Sequence, residues 1–492
     1  MLKLFAKDAT VYAAGNIGLR AAALLLTPVY TYCLTVSDYG LWATLQTTIQ
    51  IMSILFTMGM RETLLRFRKE YEEEKRLSSL IGTTTLLIVC GALGVSLVAM
   101  LLLPVFKHVL HIDDVRNLIL LTCAAALVQS LSIQLMSYYR AGHQAIKFML
   151  IGLAGAVLLV LTTIVAIYIL KLGVRGVLLA YIASYVLIFA FVAVDVFSRT
   201  GFGVSLSIIP SLFQFGAPLT VSAVGQFTMG GASVYLLSYF AGLEVVAIYS
   251  LSQKLASILP IVVSLPFQLA FQPLVFSNLN NPDIRQKTGR LLTYLVLAST
   301  LMVFFLVVGT HVLLPFIAPP AYAPAFLVSL FLVPAAAFSG IHLFGETLLG
   351  AVKKTHIAAF FNTGGAIVCI LLNLVLVPRL GWYGAVIATV LSIIAVDATE
   401  AGIGISEFKI RGEIEYRRLS ILGAVFVAFL VFSLVLCTMP PAYFYYGQAL
   451  FCLASLTVLI VIPFFHDYEK AALRRMIRKL LDRVCAKATP SC

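Results

Sequence analysis

The stretch AGNIGLRAAALLLTPVY (residues 14–30) holds Arg20 about twelve residues from either end of an apolar run, roughly 18 Å at 1.5 Å per residue. That is too deep for an arginine side chain to reach an interface comfortably, so Arg20 must face protein or water. A cation at such depth costs at least about 2.5–3.5 kcal/mol on insertion scales and marks a substrate or ion path. Lys254, about eleven residues into a later apolar run, poses the same question. The alternative for either residue is a pair with a buried acid or with helix carbonyls. In VDATE, Asp397 and Glu400 stand three apart on one helical face, with Asp397 near the middle of its run. Two close carboxylates in low dielectric tend to retain one proton near neutral pH, as a proton-coupled carrier needs. The alternatives are an ion pair with Arg20 or Lys254, or interfacial exposure of Glu400. Asn16, Tyr30, Gln46, Gln50, Gln226, Tyr249 and Gln253 also lie within apolar runs, where such groups either meet a polar ligand or join helices to one another. Asp195 and Glu346 fall nearer the ends of their runs and are expected at the interface.

The elements that must position these residues are membrane spans. The chain of 492 residues is 61% hydrophobic and only 11% charged, with a mean hydropathy of +1.02, far outside the soluble globular range. Apolar runs of about twenty residues, each closed by a short polar connection, give about fourteen transmembrane helices: roughly 9–33, 39–60, 79–105, 116–138, 148–170, 174–198, 213–240, 244–277, 291–317, 325–350, 356–377, 382–406, 419–438 and 442–465. The first run outlasts a signal-peptide core and is expected to stay in the membrane. No connection is long enough for a soluble domain; the longest, around 61–78, is a charged loop. The eight cysteines are scattered without a CxxC or Cys/His spacing, so neither a metal site nor a redox pair is indicated.

Orientation follows from lysine and arginine. Of the 34, five (Lys107, Arg116, Lys171, Arg175 and Arg379) fall in loops on one side and two lie within spans, leaving 27 on the side of both termini and of the 61–78 loop. Both termini are therefore expected in the cytoplasm. The net charge of +13 reflects this topology, and its spread over many short loops argues against nucleic-acid binding.

An internal repeat organises the chain. Residues 141–184 align with 349–392 at a shift of 208, pairing Gly142 with Gly350, Gly173 with Gly381, Gly176 with Gly384 and Ser184 with Ser392. Near the start of each half, YGLWATLQ (39–46) pairs with VAIYSLSQ (246–253) at a shift of 207, matching Trp42 with Tyr249 and Gln46 with Gln253. Six spans per half is an even number, so both halves run in the same direction about an axis along the membrane normal, with a cleft between them. The expected fold class is all-α, with two parallel six-helix repeats (1–205 and 206–410) around a central cavity, two additional spans (411–466) and a basic amphipathic tail (467–492) suited to an anionic lipid surface. Gly15, Gly18, Pro28, Pro218, Gly230 and Gly231 punctuate the first and seventh spans, where a bend is mechanically useful.

FAKDATVYAAGNIG leading into TPVYTYCLTVSDYGLWATLQ, GMRETLLRF closing the second span and FQLAFQPLVF closing the eighth resemble the polysaccharide transporter family. That family includes O-antigen and other lipid-linked oligosaccharide flippases, in the superfamily that also holds the lipid II flippase and the multidrug and toxin extruders. The resemblance implies alternating-access translocation of a polyprenyl-pyrophosphate-linked sugar across a bacterial inner membrane, with membrane lipids, a glycan polymerase and chain-length machinery as partners. It implies no cofactor and no catalytic residue. In that light Arg20 and Lys254 are expected to hold the pyrophosphate, one from each half, since arginine grips phosphate oxygens as a fork and lysine as a point charge. Asn16, Gln46, Gln50, Gln226, Gln253, Tyr30 and Tyr249 become the expected sugar contacts. The rival readings are a lipid II-type flippase and a cation-coupled extruder of small organic cations, and the extruder would be expected to present net acid to its cavity. A membrane glycosyltransferase or polymerase is disfavoured, because no external loop is large enough to assemble its site.

Overall fold

The computed structural model describes residues 24–110, 115–142, 144–279, 281 and 283–437, together with 447, 448, 450, 451, 454 and 455. Among them, twelve helices are long and apolar enough to cross a membrane. With no water in a bilayer core to satisfy backbone amides, an apolar chain of this composition has helix as its only open-ended solution. The elements run α1 (Leu24–Cys33), α2 (Val36–Thr57), α3 (Met60–Glu73), α4 (Leu77–Leu101), α5 (Leu103–Leu110), α6 (Val115–Ala141), α7 (Ala145–Ile164), α8 (Gly173–Thr200), α9 (Ile209–Phe240), α10 (Leu243–Ala256), α11 (Leu265–Ser277), α12 (Asp283–Ile317), α13 (Ala325–Ala336), α14 (Phe338–Ala351), α15 (Thr355–Leu380), α16 (Trp382–Glu407) and α17 (Tyr416–Leu436).

The repeat is visible in these bounds. α2 begins at Val36 and α10 at Leu243, the same shift of 207 that aligns their sequences. Packing repeats too: α2 lies on α6 as α10 lies on α13, and α6 on α8 as α14 on α16. The junction at Trp42, whose ring meets that of Tyr181 at 6.0 Å, recurs in the second half, where Tyr249 hydrogen-bonds through its hydroxyl to Thr389 at 3.0 Å. Several spans are interrupted. Met58 and Gly59, both in the left-handed region (φ 44° and 72°), separate α2 from α3, and a π-helical turn at Pro260–Ser264 separates α10 from α11.

The charged segment expected as a loop is largely helical. α3 carries it to Glu73, with Leu64, Arg68 and Tyr71 buried on one face and the pairs Arg68–Glu72 and Lys69–Glu73 spaced i,i+4 along it. Counting charges ends a span at residue 61, but charges at helical spacing do not end a helix. Asp195, expected at an interface, ties α6, α7 and α8 together: it accepts from the Tyr139 hydroxyl at 2.7 Å and pairs with Lys147 at 2.5 Å and Arg199 at 2.9 Å.

Contacts divide the chain into residues 1–414 and 415–492. In the second unit Arg418 pairs with Glu415 at 2.8 Å, and Gln448 donates from Nε2 to the Ser433 hydroxyl at 2.7 Å. The expected span at 442–465 and the basic tail fall mostly or wholly outside the described residues.

Candidate substrate cavity

Three helices from the seam between the halves, α2, α9 and α10, line a cavity of about 500 Å³. Gln46 and Gln50 are one turn apart on α2, so they share a face. Gln226 enters from α9, and Gln253 and Lys254 from α10. The repeat mates Gln46 and Gln253 thus open onto one space. Gln253 also donates from Nε2 to the Gly230 carbonyl at 2.9 Å, which fixes its side chain at the wall. Tyr39, Trp42 and Phe227 add aromatic surface.

Lys254 has no carboxylate within ion-pair distance among the described residues. Its ammonium instead lies over two rings, those of Tyr30 and Tyr39, at 5.3 Å from each centroid. Attraction to a ring face is worth about 0.5–2 kcal/mol and leaves the charge unneutralised. Tyr30 is therefore a buried support beneath the lysine, packed on Tyr39 and Trp42, and is not part of the wall. Tyr249 is not brought to the cavity at all: it is fully buried and its hydroxyl meets Thr389 on α16. Near the α2 end of the cavity the helices meet without side chains between them, since a Cβ on Gly40 would run into the carbonyl oxygen of Leu243. Asn16 and Arg20 lie outside the described residues.

A second cavity of about 470 Å³ adjoins the first and shares Gln226 and Gln253 with it. Asp397 lines it, and so does His342 of α14. His342 Nδ1 lies 2.9 Å from Glu400 Oε2 and 3.4 Å from Asp397 Oδ1, while its Nε2 faces the amide nitrogen of Gln226 at 2.9 Å. The carboxylates are thus together, as the three-residue spacing requires, but their described partner is an imidazole and not Lys254. Glu400 is fully buried, so the interfacial placement does not hold. The small residues explain how α14 comes so near α16: a Cβ on Gly345 would stand 2.8 Å from the backbone of Ala401.

A third cavity of about 290 Å³ runs from Gln226 past Ser53 and Thr57 to Arg61, Glu62 and Glu346. Gln226 lines all three. Glu346 is half-buried at the wall of this passage. Among the described residues no group of His, Cys, Asp and Glu is arranged to hold a metal ion.

Residues 5–279 match the sequence profile described as "Polysaccharide biosynthesis protein". The chain belongs to that family. No curated protein sequence matches the chain significantly. Among solved structures it is similar to the lipid II flippase MurJ in an inward closed conformation, at TM-score 0.71 and 11% identity over 93% of this chain and 98% of that one. It is also similar to a MATE transporter of Vibrio cholerae, at TM-score 0.57 and 17% identity over 82% of this chain and 96% of that one. A eukaryotic MATE transporter matches at TM-score 0.57 and 14% identity, over 83% and 97%. At these identities the likeness is one of fold alone.

The residue that sequence reasoning missed is His342. Its signal was present in the repeat: carrying the shift of 208 a few residues upstream pairs Ile133, Gln134 and Leu135 with Ile341, His342 and Leu343. One polar position between matched apolar ones, polar again in the mate, is not explained by lipid contact. Gln134 is buried as well and donates to the Met60 carbonyl at 3.4 Å. Asp397 and Glu400 have no acidic mates, since Phe189 and Val192 occupy those positions. The titratable cluster is therefore a specialisation of one half.

Proposed function

We propose that this protein flips a polyprenyl-pyrophosphate-linked oligosaccharide from the cytoplasmic to the outer leaflet of a bacterial inner membrane, for cell-surface polysaccharide biosynthesis. In this reading residues 1–205 and 206–410 are two six-helix lobes that rock about the central cavity, residues 411–466 add two spans to make fourteen, and both termini are cytoplasmic. The observation that carries it is the cavity wall: four glutamine amides and three aromatic rings around one lysine with no acidic partner among the described residues. Amides and ring faces suit sugar hydroxyls and sugar rings, and an unneutralised ammonium suits phosphate oxygens. Arg20, from the first span, shares the pyrophosphate with Lys254. Asn16, Gln46, Gln50, Gln226 and Gln253 meet the glycan, and Tyr30 holds Lys254 in place.

The acid pair Asp397/Glu400 supports ion coupling, and it also gives the second reading, a cation-coupled extruder, its one favourable feature. Cavity charge separates the two, because an extruder of organic cations needs net acid where Lys254 stands. The deciding test places the purified protein in vesicles carrying a fluorescent undecaprenyl-pyrophosphate oligosaccharide in one leaflet. Exposure of the sugar to a lectin on the opposite face is expected. Movement of an organic cation, with the glycan lipid left in place, would establish the extruder instead.

A further inference from the structure

We propose that His342 is a protonation switch and that Gln226 transmits its protonation state to the substrate cavity. The inference rests on the proposed glycan-lipid reading and adds to it a residue, a relay and a direction. Facing His342 are Asp397 and Glu400 from α16, Gln226 from α9 and, one turn along its own helix, Glu346. Nδ1 lies within ion-pair distance of the two carboxylates, whose charge favours a hydrogen on that nitrogen in either charge state. The proton that comes and goes is then the one on Nε2, and Nε2 faces the Gln226 amide at 2.9 Å.

The relay follows from the donor inventory of the two groups. A neutral imidazole accepts at Nε2, so Gln226 offers its NH₂, as the geometry has it, and turns its carbonyl oxygen away. An imidazolium donates at Nε2, and two donors cannot share a hydrogen bond. The amide must then turn about its last torsion to present oxygen to His342, which swings its NH₂ round. Gln226 is exposed to all three cavities, so the turn replaces an acceptor with a donor on the wall beside Gln253 and Lys254. Phosphate oxygens accept hydrogen bonds and never donate them when ionised. Protonation of His342 therefore favours an anionic cargo twice, through the new donor and through the added positive charge, and the two binding equilibria are linked.

The test uses the full-length protein in nanodiscs and undecaprenyl pyrophosphate as the probe. Binding is measured at pH 6 and pH 8 for the wild type, His342→Gln and Gln226→Leu; the titration of the probe itself is common to all three. One linked proton changes affinity by at most about tenfold per pH unit, and the wild type is expected to bind about tenfold more tightly at pH 6 than either variant's own pH dependence accounts for. In parallel, the imidazole ¹⁵N signal lost in His342→Gln is followed with pH. It is expected to titrate in the wild type and to shift its midpoint in Gln226→Leu, which leaves the carboxylates and the histidine in place. Equal pH dependence in wild type and both variants, or a His342 signal that never titrates, overturns the proposal while leaving the glycan-lipid reading intact. Failure of the wild type to bind the probe at either pH overturns that reading, and this inference with it.

Discussion

Lys254→Met separates a binding role from a structural one, because it keeps the length of the side chain and removes only its charge. The structure sets the magnitudes. Two ring contacts at 5.3 Å are lost, worth about 0.5–2 kcal/mol each. Against that loss, the substitution removes the desolvation penalty of an ammonium held off water, which is several kcal/mol for a fully buried ion and less for one that lines a cavity. The two effects oppose each other, so the folded state is expected to change by no more than about 2 kcal/mol in either direction, against the 3–5 kcal/mol lost when one partner of a buried ion pair is removed. Binding behaves differently. One charge-assisted contact to a phosphate oxygen contributes about 1.5–3 kcal/mol, which at 1.4 kcal/mol per tenfold is a loss of about 10- to 150-fold in affinity. Thermal unfolding and the affinity for undecaprenyl pyrophosphate, measured on the same preparation, read both quantities. Unchanged affinity would refute the role of Lys254 in holding the anion, and failure to accumulate folded protein would show that the lysine is structural.

Arg20→Ala is expected to abolish glycan export at normal membrane abundance and Arg20→Lys to retain part of it; low abundance of Arg20→Ala, rescued by also removing Asp397, would identify a buried pair instead. Asp397→Asn is expected to weaken gradient-driven transport more than Glu346→Gln, measured as initial rates in vesicles, because Asp397 lies within ion-pair distance of His342 beside Glu400, whereas Glu346 lines the passage with Arg61 and Glu62; equal effects would make the acid pair merely structural. Gly40→Ala is expected to destabilise by about 1–3 kcal/mol, the usual cost of overpacking, since the added methyl meets the Leu243 carbonyl. Gly364→Ala on α15, where a Cβ meets nothing within 4 Å, is expected to leave the unfolding temperature unchanged or raise it.

Hydropathy made the spans legible because a bilayer demands one kind of element and one range of lengths: the run expected at 382–406 is α16, Trp382–Glu407, and that expected at 244–277 is α10 with α11, closing at Ser277. It failed where the apolar signal stops and the helix does not, as in α3, which buries Leu64 and Tyr71 on one face while its charges fall at helical spacing. The cavity was partly legible because Gln46, Gln50, Gln226 and Gln253 are amides with no reason to meet lipid. Tyr249 misled for the opposite reason, since a tyrosine hides its hydroxyl as readily between helices as it shows it to a ligand. His342 stayed hidden because its partners come from α9 and α16, 116 residues away in one direction for Gln226 and over fifty in the other for Glu400, and only the fold brings them together.

The aromatic box around Lys254 has a further consequence for how occupancy is felt. Tyr39, which holds the ammonium from one side, packs its ring edge-on against Tyr322 at 5.8 Å and is next in sequence to Gly40, where α2 and α10 touch backbone to backbone. The charge that would greet an anion is thus the same charge that pins this junction. An anion that drew the ammonium into the cavity would take it off both rings, so cargo and junction would compete for a single cation. The tighter that junction held the ammonium, the weaker the grip left for an anion would be.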